Sequence, residues 1–204
     1  MNDFFQKGWD SQNIEDNYWS ILGFASEQDF KTASIRKLKR LQNIGFNFNS
    51  NLLDVGCGTG TIPYSIFNDM KGKYYGCDIS EKGVEYCMRK YQKDNFTFFV
   101  NEQTNIGIID GTQFDFICFY SVFTHCYEDE IIAILKQCKG YLKPDGKIMA
   151  DFFIGKYDGD NRYISGLSQE SFDKIIQESG LELQILSNKP FQDNIQRILT
   201  TLSL

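Results

Sequence analysis

An α/β fold, built on a mainly parallel sheet with helices on both faces, is predicted by three features of this 204-residue chain. From Asn51 onward, short β-branched or aromatic runs alternate with segments of 3.6-residue apolar period, the mark of βαβ units. A turn carrying Gly56, Gly58 and Gly60 joins the first such run to the first such helix. The last two apolar runs are joined by Asn188-Lys189-Pro190, too few residues for a crossover helix, so that pair is antiparallel.

The polar, aromatic N-terminal stretch contains one clear helix, at 28–43, with Phe30, Ala33, Ser34, Leu38 and Leu41 on one stripe. Arg36, Lys37, Lys39 and Arg40 face outward and read as a solvated face. Strands follow at 52–55, 73–77, 97–100, 114–119 and 146–153, with helices at 62–71, 81–93 and 128–142. In the 81–93 helix Val84, Cys87, Met88 and Tyr91 form the buried stripe, and Ser80 can cap the free N–H groups. The 128–142 helix sets Ile131, Leu135, Cys138 and Leu142 on one face, and Lys143-Pro144-Asp145-Gly146 is turn chemistry. A polar loop with Asp158, Asp160, Asn161 and Arg162 leads to a last helix. That helix is capped by Ser168, stapled by Leu167 and Phe172, and stopped at Gly180. The closing runs are 181–187 and 195–204. No repeat or linker divides the chain, which reads as a single domain, with an N-terminal helical segment at 1–48 and an α/β core at 49–204.

Composition excludes several functions. With 42% hydrophobic and 24% charged residues the chain is an ordinary globular one. A net charge of −6 and a pI near 4.9 leave no broadly basic surface for nucleic acid. The six cysteines never pair as C-x-x-C and mostly sit in apolar runs, so they read as buried thiols. No apolar run has the ~18 residues of a membrane span, and no leader pattern opens the chain. A cytoplasmic protein, monomer or homodimer, is the expectation. The single histidine rules out a histidine-rich metal centre, and no required metal is expected.

The glycine turn, Leu52-Leu53-Asp54-Val55-Gly56-Cys57-Gly58-Thr59-Gly60, lets a ligand approach the backbone closely. A dinucleotide fingerprint G-x-G-x-x-G needs glycine at position 61, where Thr61 stands. Asp54 would repel a pyrophosphate but suits a ligand with an amino group or positive charge. Asp78, ending the second strand, can accept hydrogen bonds from both hydroxyls of a ribose.

On Asp54-x-Gly56-x-Gly58-x-Gly60 with Asp78, the chain resembles the class I S-adenosylmethionine-dependent methyltransferases. The resemblance spans residues 51–155 by motif and the whole chain by element order. It implies a Rossmann-like seven-stranded sheet in the order 3-2-1-4-5-7-6 with the last strand antiparallel, S-adenosyl-L-methionine as cofactor and S-adenosyl-L-homocysteine as product. It assigns Asp54 and the loop Gly56, Cys57, Gly58, Thr59 and Gly60 to the methionine part, Asp78 to the ribose and Ile79 to the adenine. Glu102 stands where the family has an Asp near the adenine amino group, and Tyr120 would line the methionine end of the cofactor. Tyr18 and Trp19, with Trp9 nearby, are candidates for an N-terminal lid over it.

Methyl transfer to a hydroxyl needs a positioned acceptor and a proton acceptor. His125, just past the fourth strand in Phe119-Tyr120-Ser121-Val122-Phe123-Thr124-His125, is the candidate base or positioning group, since an unperturbed imidazole titrates near pH 6.5. The family resemblance places such a run among enzymes of small molecules, including sugars and cell-surface glycan precursors. Enzymes that methylate amino groups of bases carry Asn/Asp-Pro-Pro-Tyr/Phe at this place, where this chain has Phe119-Tyr120-Ser121-Val122. Arg162 could hold an anionic group of the acceptor. The expected activity is methylation of a hydroxyl on a small polar acceptor. The alternatives are methylation of an amine or phosphoryl-type group, arsenic chemistry through Cys118, Cys126 and Cys138, and a cofactor-binding module without catalysis.

Overall fold

A computed structural model describes residues 14–107, 111–155, 166–192 and 195–204 of the chain. Trp9 and the 156–162 loop with Arg162 lie outside the described residues. The chain divides after Asn101 into two compact units.

In the first unit a short helix α1 (Ile14–Asn17) precedes α2 (Glu27–Asn43). The Ser26 hydroxyl caps α2 by accepting the Asp29 N–H at 3.1 Å, and Phe30, Ser34 and Leu41 form its buried stripe. Then come β1 (Leu52–Val55), α3 (Thr61–Ile66), β2 (Tyr74–Asp78), α4 (Glu81–Lys90) and β3 (Phe96–Val100). The strands pair in parallel, Leu52 with Tyr74 and Tyr74 with Phe96, as helical crossovers require. β1 and β2 are buried along their whole length.

Two details differ from the periodicity. α3 ends at Ile66 rather than at 71, because the Lys71 and Gly72 N–H groups both donate to Phe48 O, at 2.7 and 2.9 Å. A Cβ on Gly72 would lie 2.2 Å from Ser50 O, so the chain docks here only without a side chain. In α4, Met88 is 52% exposed while Tyr86 is buried. Tyr86 stacks on Tyr18, with centroids 5.6 Å apart, so the N-terminal segment turns the buried face of α4 away from Met88.

The second unit runs β4 (Phe114–Phe119), a 3₁₀ turn at Phe123–His125, α5 (Glu128–Tyr141), β5 (Leu142–Ile154), α6 (Gln169–Ser179), β6 (Glu182–Gln192) and β7 (Ile195–Ser203). Ser168 caps α6 by accepting the Ser171 N–H at 2.9 Å, Leu167 and Phe172 are buried, and Gly180 ends the helix at φ +63°. β4 and β5 are parallel, but their register jumps from Phe114 opposite Leu142 to Phe116 opposite Lys147. The turn residues 143–146 are the inserted stretch, and a Cβ on Gly146 would meet Phe114 O at 2.9 Å. β7 is antiparallel to both β5 and β6. β6 continues through Asn188-Lys189-Pro190 instead of turning there, with Pro190 opposite Gln196. Proline is tolerated because β6 is an edge strand with an open side. The strand order is β3-β2-β1-β4-β5-β7-β6, as the family resemblance implies. Among the described residues no helix is long and apolar enough to cross a membrane.

Candidate functional site

The glycine loop of the first unit is fixed through its own backbone. Gly56, Gly58 and Gly60 have φ of +75°, +56° and +90°, a region that residues with a Cβ enter at a cost. The Gly56 and Cys57 N–H groups both donate to Cys77 O on β2, at 2.8 and 3.0 Å. The Gly58 carbonyl accepts from the Cys87 thiol at 3.3 Å, and the Gly60 carbonyl from the Tyr91 hydroxyl at 3.2 Å. A Cβ on Gly60 would lie 2.5 Å from the Tyr91 ring. Lys37, read from the sequence as outward-facing, instead donates to the Thr61 hydroxyl at 2.7 Å, at the start of α3.

Asp78 closes this cradle at the end of β2. One carboxylate oxygen accepts the Gly58 N–H at 2.8 Å and the other the Ser80 N–H at 2.9 Å. Burial raises its pKa, and the amides of Ser80, Gly58 and Ile79 oppose that rise. Each oxygen can accept further hydrogen bonds, so the carboxylate that ties down the loop can also receive hydroxyl donors. Ser80 separately caps α4, its Oγ accepting the Gly83 N–H at 3.1 Å. Ile79, beside Asp78, is half-buried.

Asp54 is 2% exposed and accepts the Tyr74 hydroxyl at 2.9 Å. Burial, then the Asp54 charge, pushes the Tyr74 phenol up, so it stays a donor. The hydrogen bond to Cys87, and then burial, raises the Cys57 thiol. A glycine-lined cradle with two buried carboxylates suits a ligand carrying positive charge and hydroxyl donors, and fits a sulfonium nucleoside better than a pyrophosphate.

The N-terminal segment reaches the same loop. The Thr59 hydroxyl donates to the Tyr18 carbonyl at 2.8 Å, and the Tyr18 hydroxyl donates to Glu27 at 2.8 Å. Burial raises the Tyr18 phenol well above its ordinary range. Trp19 packs edge-on against Tyr18, 5.1 Å between centroids. Among the sequence candidates, Asp54, the 56–60 loop, Asp78, Ile79, Tyr18 and Trp19 all belong to this unit. Cys87 and Tyr91 were legible only as core positions. Their polar role depends on loop carbonyls that the residue pattern does not reveal.

The second unit contributes a different cluster at the carboxyl end of β4. Tyr120 is buried and donates its hydroxyl to Met149 Sδ at 2.8 Å. Ser121 sits at φ +59°, and its N–H donates to Asp151 Oδ1 at 2.7 Å. Asp151, fully buried, also pairs with Arg197. His125 ends the following 3₁₀ turn, half-buried, its N–H donating to Val122 O at 2.9 Å. Glu102 is exposed in a tight turn, with its N–H donating to Asn105 O at 3.2 Å. Asp151 and Arg197 escaped the sequence reading because one lies inside an apolar strand and the other 46 residues further on. The Cys126 thiol is pushed up to about 12 by burial, and burial raises Cys138 as well, which disfavours thiolate chemistry there.

Residues 52–146 match a family model described as a methyltransferase domain. Among solved structures, the chain is similar to magnesium protoporphyrin IX methyltransferase from Synechocystis PCC 6803 with bound S-adenosylhomocysteine, at 16% identity over 99% of both chains and a TM-score of 0.72. It is also similar to a SAM-dependent methyltransferase from Leishmania major, at 13% identity over 98% of this chain and 82% of that one, TM-score 0.71. A third is DesVI from Streptomyces venezuelae, at 15% identity over 94% and 99%, TM-score 0.68. At these identities the likeness is one of fold.

Proposed function

We infer that this chain, whose residues 52–146 match a methyltransferase domain and whose sheet has the strand order β3-β2-β1-β4-β5-β7-β6, is a class I S-adenosylmethionine-dependent methyltransferase. It methylates a hydroxyl of a small polar acceptor, of which a sugar or glycan precursor is the leading class. The observation that carries the cofactor half of this reading is the acidic glycine cradle, in which Asp78 accepts the Gly58 and Ser80 amides. S-adenosylmethionine supplies an electrophilic methyl group on sulfur.

In this reading Asp54 and the 56–60 loop hold the methionine part, Asp78 the ribose hydroxyls, and Ile79 and Glu102 the adenine side. Tyr120 lines the methionine end, and Tyr18 and Trp19 belong to the lid that excludes water. His125 takes the acceptor's proton or fixes its orientation, work worth roughly 10²–10⁴-fold in rate for a general base.

Calorimetric titration with S-adenosylmethionine and S-adenosylhomocysteine tests the cofactor assignment, on the wild type and on Asp78→Asn, which keeps the shape of the side chain. Binding to the wild type and about tenfold weaker binding to the variant is expected, the scale of one charge-assisted hydrogen bond. No binding to folded wild-type protein would overturn the assignment. Once an acceptor is found, His125→Ala should lower turnover and leave cofactor affinity unchanged, and unchanged turnover removes His125 from the chemistry.

A further inference from the structure

We propose that the second unit carries an anion-binding subsite, made by Arg197 and Lys189 with Phe191 as its apolar wall, that receives the carboxylate or phosphate of a sugar-like acceptor. The proposal rests on the methyltransferase reading above and names the substrate class within it.

Arg197 on β7 lies opposite Phe153 of β5 on one side and opposite Lys189 of β6 on the other. Directly opposed residues place their side chains on the same face of a sheet, so these three stand in one row. Asp151, two residues before Phe153, belongs to that face too. It is fully buried, and one of its oxygens takes both the Nε–H and an Nη2–H of Arg197, the first at 2.9 Å. The guanidinium lies 5.4 Å over the Phe153 ring. A buried carboxylate along one edge and an aromatic ring against the flat side fix its orientation. The Arg197 side chain nevertheless keeps 31% exposure, and among the described residues its Nη1 has no acceptor. A guanidinium held this way presents its remaining N–H groups at low entropic cost, which is how arginine recognises carboxylate and phosphate.

Lys189 is the second cation. It is exposed and makes no ion pair among the described residues. Like charges directly opposed across two strands are unfavourable, and Asp151, the carboxylate on this face among the described residues, is committed to Arg197. A bound anion shared by Arg197 and Lys189 removes that repulsion. The site stands out on a chain whose net charge is −6.

Phe191 sets the shape of the ligand. The β6–β7 register slips between Pro190 and Gln192, and Phe191, at the slip, packs edge-on to Phe153 with centroids 4.7 Å apart and planes at 82°. It remains 43% exposed. An exposed aromatic face beside two cations suits a ring with one apolar side and an acidic substituent, the chemistry of a sugar acid or sugar phosphate.

NMR titrations of the full chain with glucuronate, glucose 6-phosphate and glucose test this, following the Arg197 Nε–H signal, each with and without S-adenosylhomocysteine. The expected result is that at least one charged sugar shifts that signal and binds about tenfold or more tighter than glucose, the scale of one charge-assisted hydrogen bond. Which of the two binds tighter identifies the anion. Because removing Arg197 would strand a buried carboxylate, the decisive variant is Lys189→Gln. It should weaken the charged sugar about fivefold or more and leave S-adenosylhomocysteine affinity unchanged. Phe191→Ala should weaken the charged sugar and glucose alike. Equal binding of glucose and the charged sugars, no shift of Arg197 by either anion, or wild-type affinity in Lys189→Gln would each overturn the subsite. Failure of S-adenosylhomocysteine to bind would defeat the methyltransferase reading instead, and the titrations without it would still decide the subsite.

Discussion

The two units hold an unusual backbone conformation at their candidate sites by opposite means. In the first, the left-handed positions of the loop are glycines, Gly56, Gly58 and Gly60, and side chains from β2 and the α4 region clamp the loop's own amides and carbonyls. In the second, a left-handed position is a serine, Ser121, held there with the Asp151 carboxylate on its N–H and Arg197 behind that carboxylate. One conformation is built into residue type and the other is imposed by tertiary contact. The first should therefore fail through sterics and the second through electrostatics.

Gly60→Ala is the strongest test of the steric side. The new Cβ combines strain at φ +90° with overlap on the Tyr91 ring at 2.5 Å. About 3 kcal/mol of stability should be lost, read by urea unfolding, together with cofactor binding. Gly107→Ala, at φ +72° with nothing within 4 Å of the new atom, should lose only the strain, about 1 kcal/mol. Equal losses would show that crowding by Tyr91 contributes nothing.

Arg197→Met tests the electrostatic side. It leaves the Asp151 carboxylate buried and unpaired, a change that costs roughly 3–5 kcal/mol when both partners are buried. Arg197 keeps 31% of its exposure, so about 2 kcal/mol is expected. The double variant with Asp151→Asn should recover part of the loss, since no stranded charge remains. If the double variant is no better than Arg197→Met, the pair acts through packing and the contrast between the units weakens.

How much of each site could be read from the chain follows the same division. Gly56, Gly58, Gly60 and Asp78 announce themselves because glycine and a strand-end acid have few other reasons to stand at those places. The antiparallel final pair followed from the shortness of its connection, although the strand runs on through Pro190, which only an edge position permits. Arg197, Asp151 and Lys189 carry no local signal. They meet because β7 runs back between β5 and β6, and nothing in the sequence near any one of them specifies the others.

A smaller effect is expected within the first unit from Tyr74→Phe, which removes the hydroxyl at 2.9 Å from Asp54 and leaves the ring in place. A hydrogen bond to a buried charged group contributes about 1.5 kcal/mol, and the variant should lose that much in urea unfolding with no change in fold. A loss near zero would mean that Asp54 is satisfied by its other contacts, and that the cradle depends on main-chain clamps alone.

The smallest effect is a pH dependence centred on Asp78. Its pKa is raised above 3.8 by burial, so between the unfolded and folded values the native state holds more of the proton. Its contribution to stability is then fullest below the ordinary carboxylate range and is lost as pH rises through the folded pKa. Glu27 and Glu128 run the other way: Lys31 and Lys174 lower them below 4.5, so their stabilisation is present above that value and lost as pH falls through the folded ones. Of these three groups cofactor affinity should follow Asp78, because a protonated carboxyl is a poorer acceptor for ribose hydroxyls. Affinity should therefore fall as pH is lowered over the interval from neutrality down through the Asp78 pKa, with the fall starting above the usual aspartate range. In Asp78→Asn the calorimetric affinity should be flat over that interval. A wild type that is equally flat would mean the loop amides already hold the carboxylate fully ionised, so that in this unit the main chain sets the charge as well as the shape of the cradle.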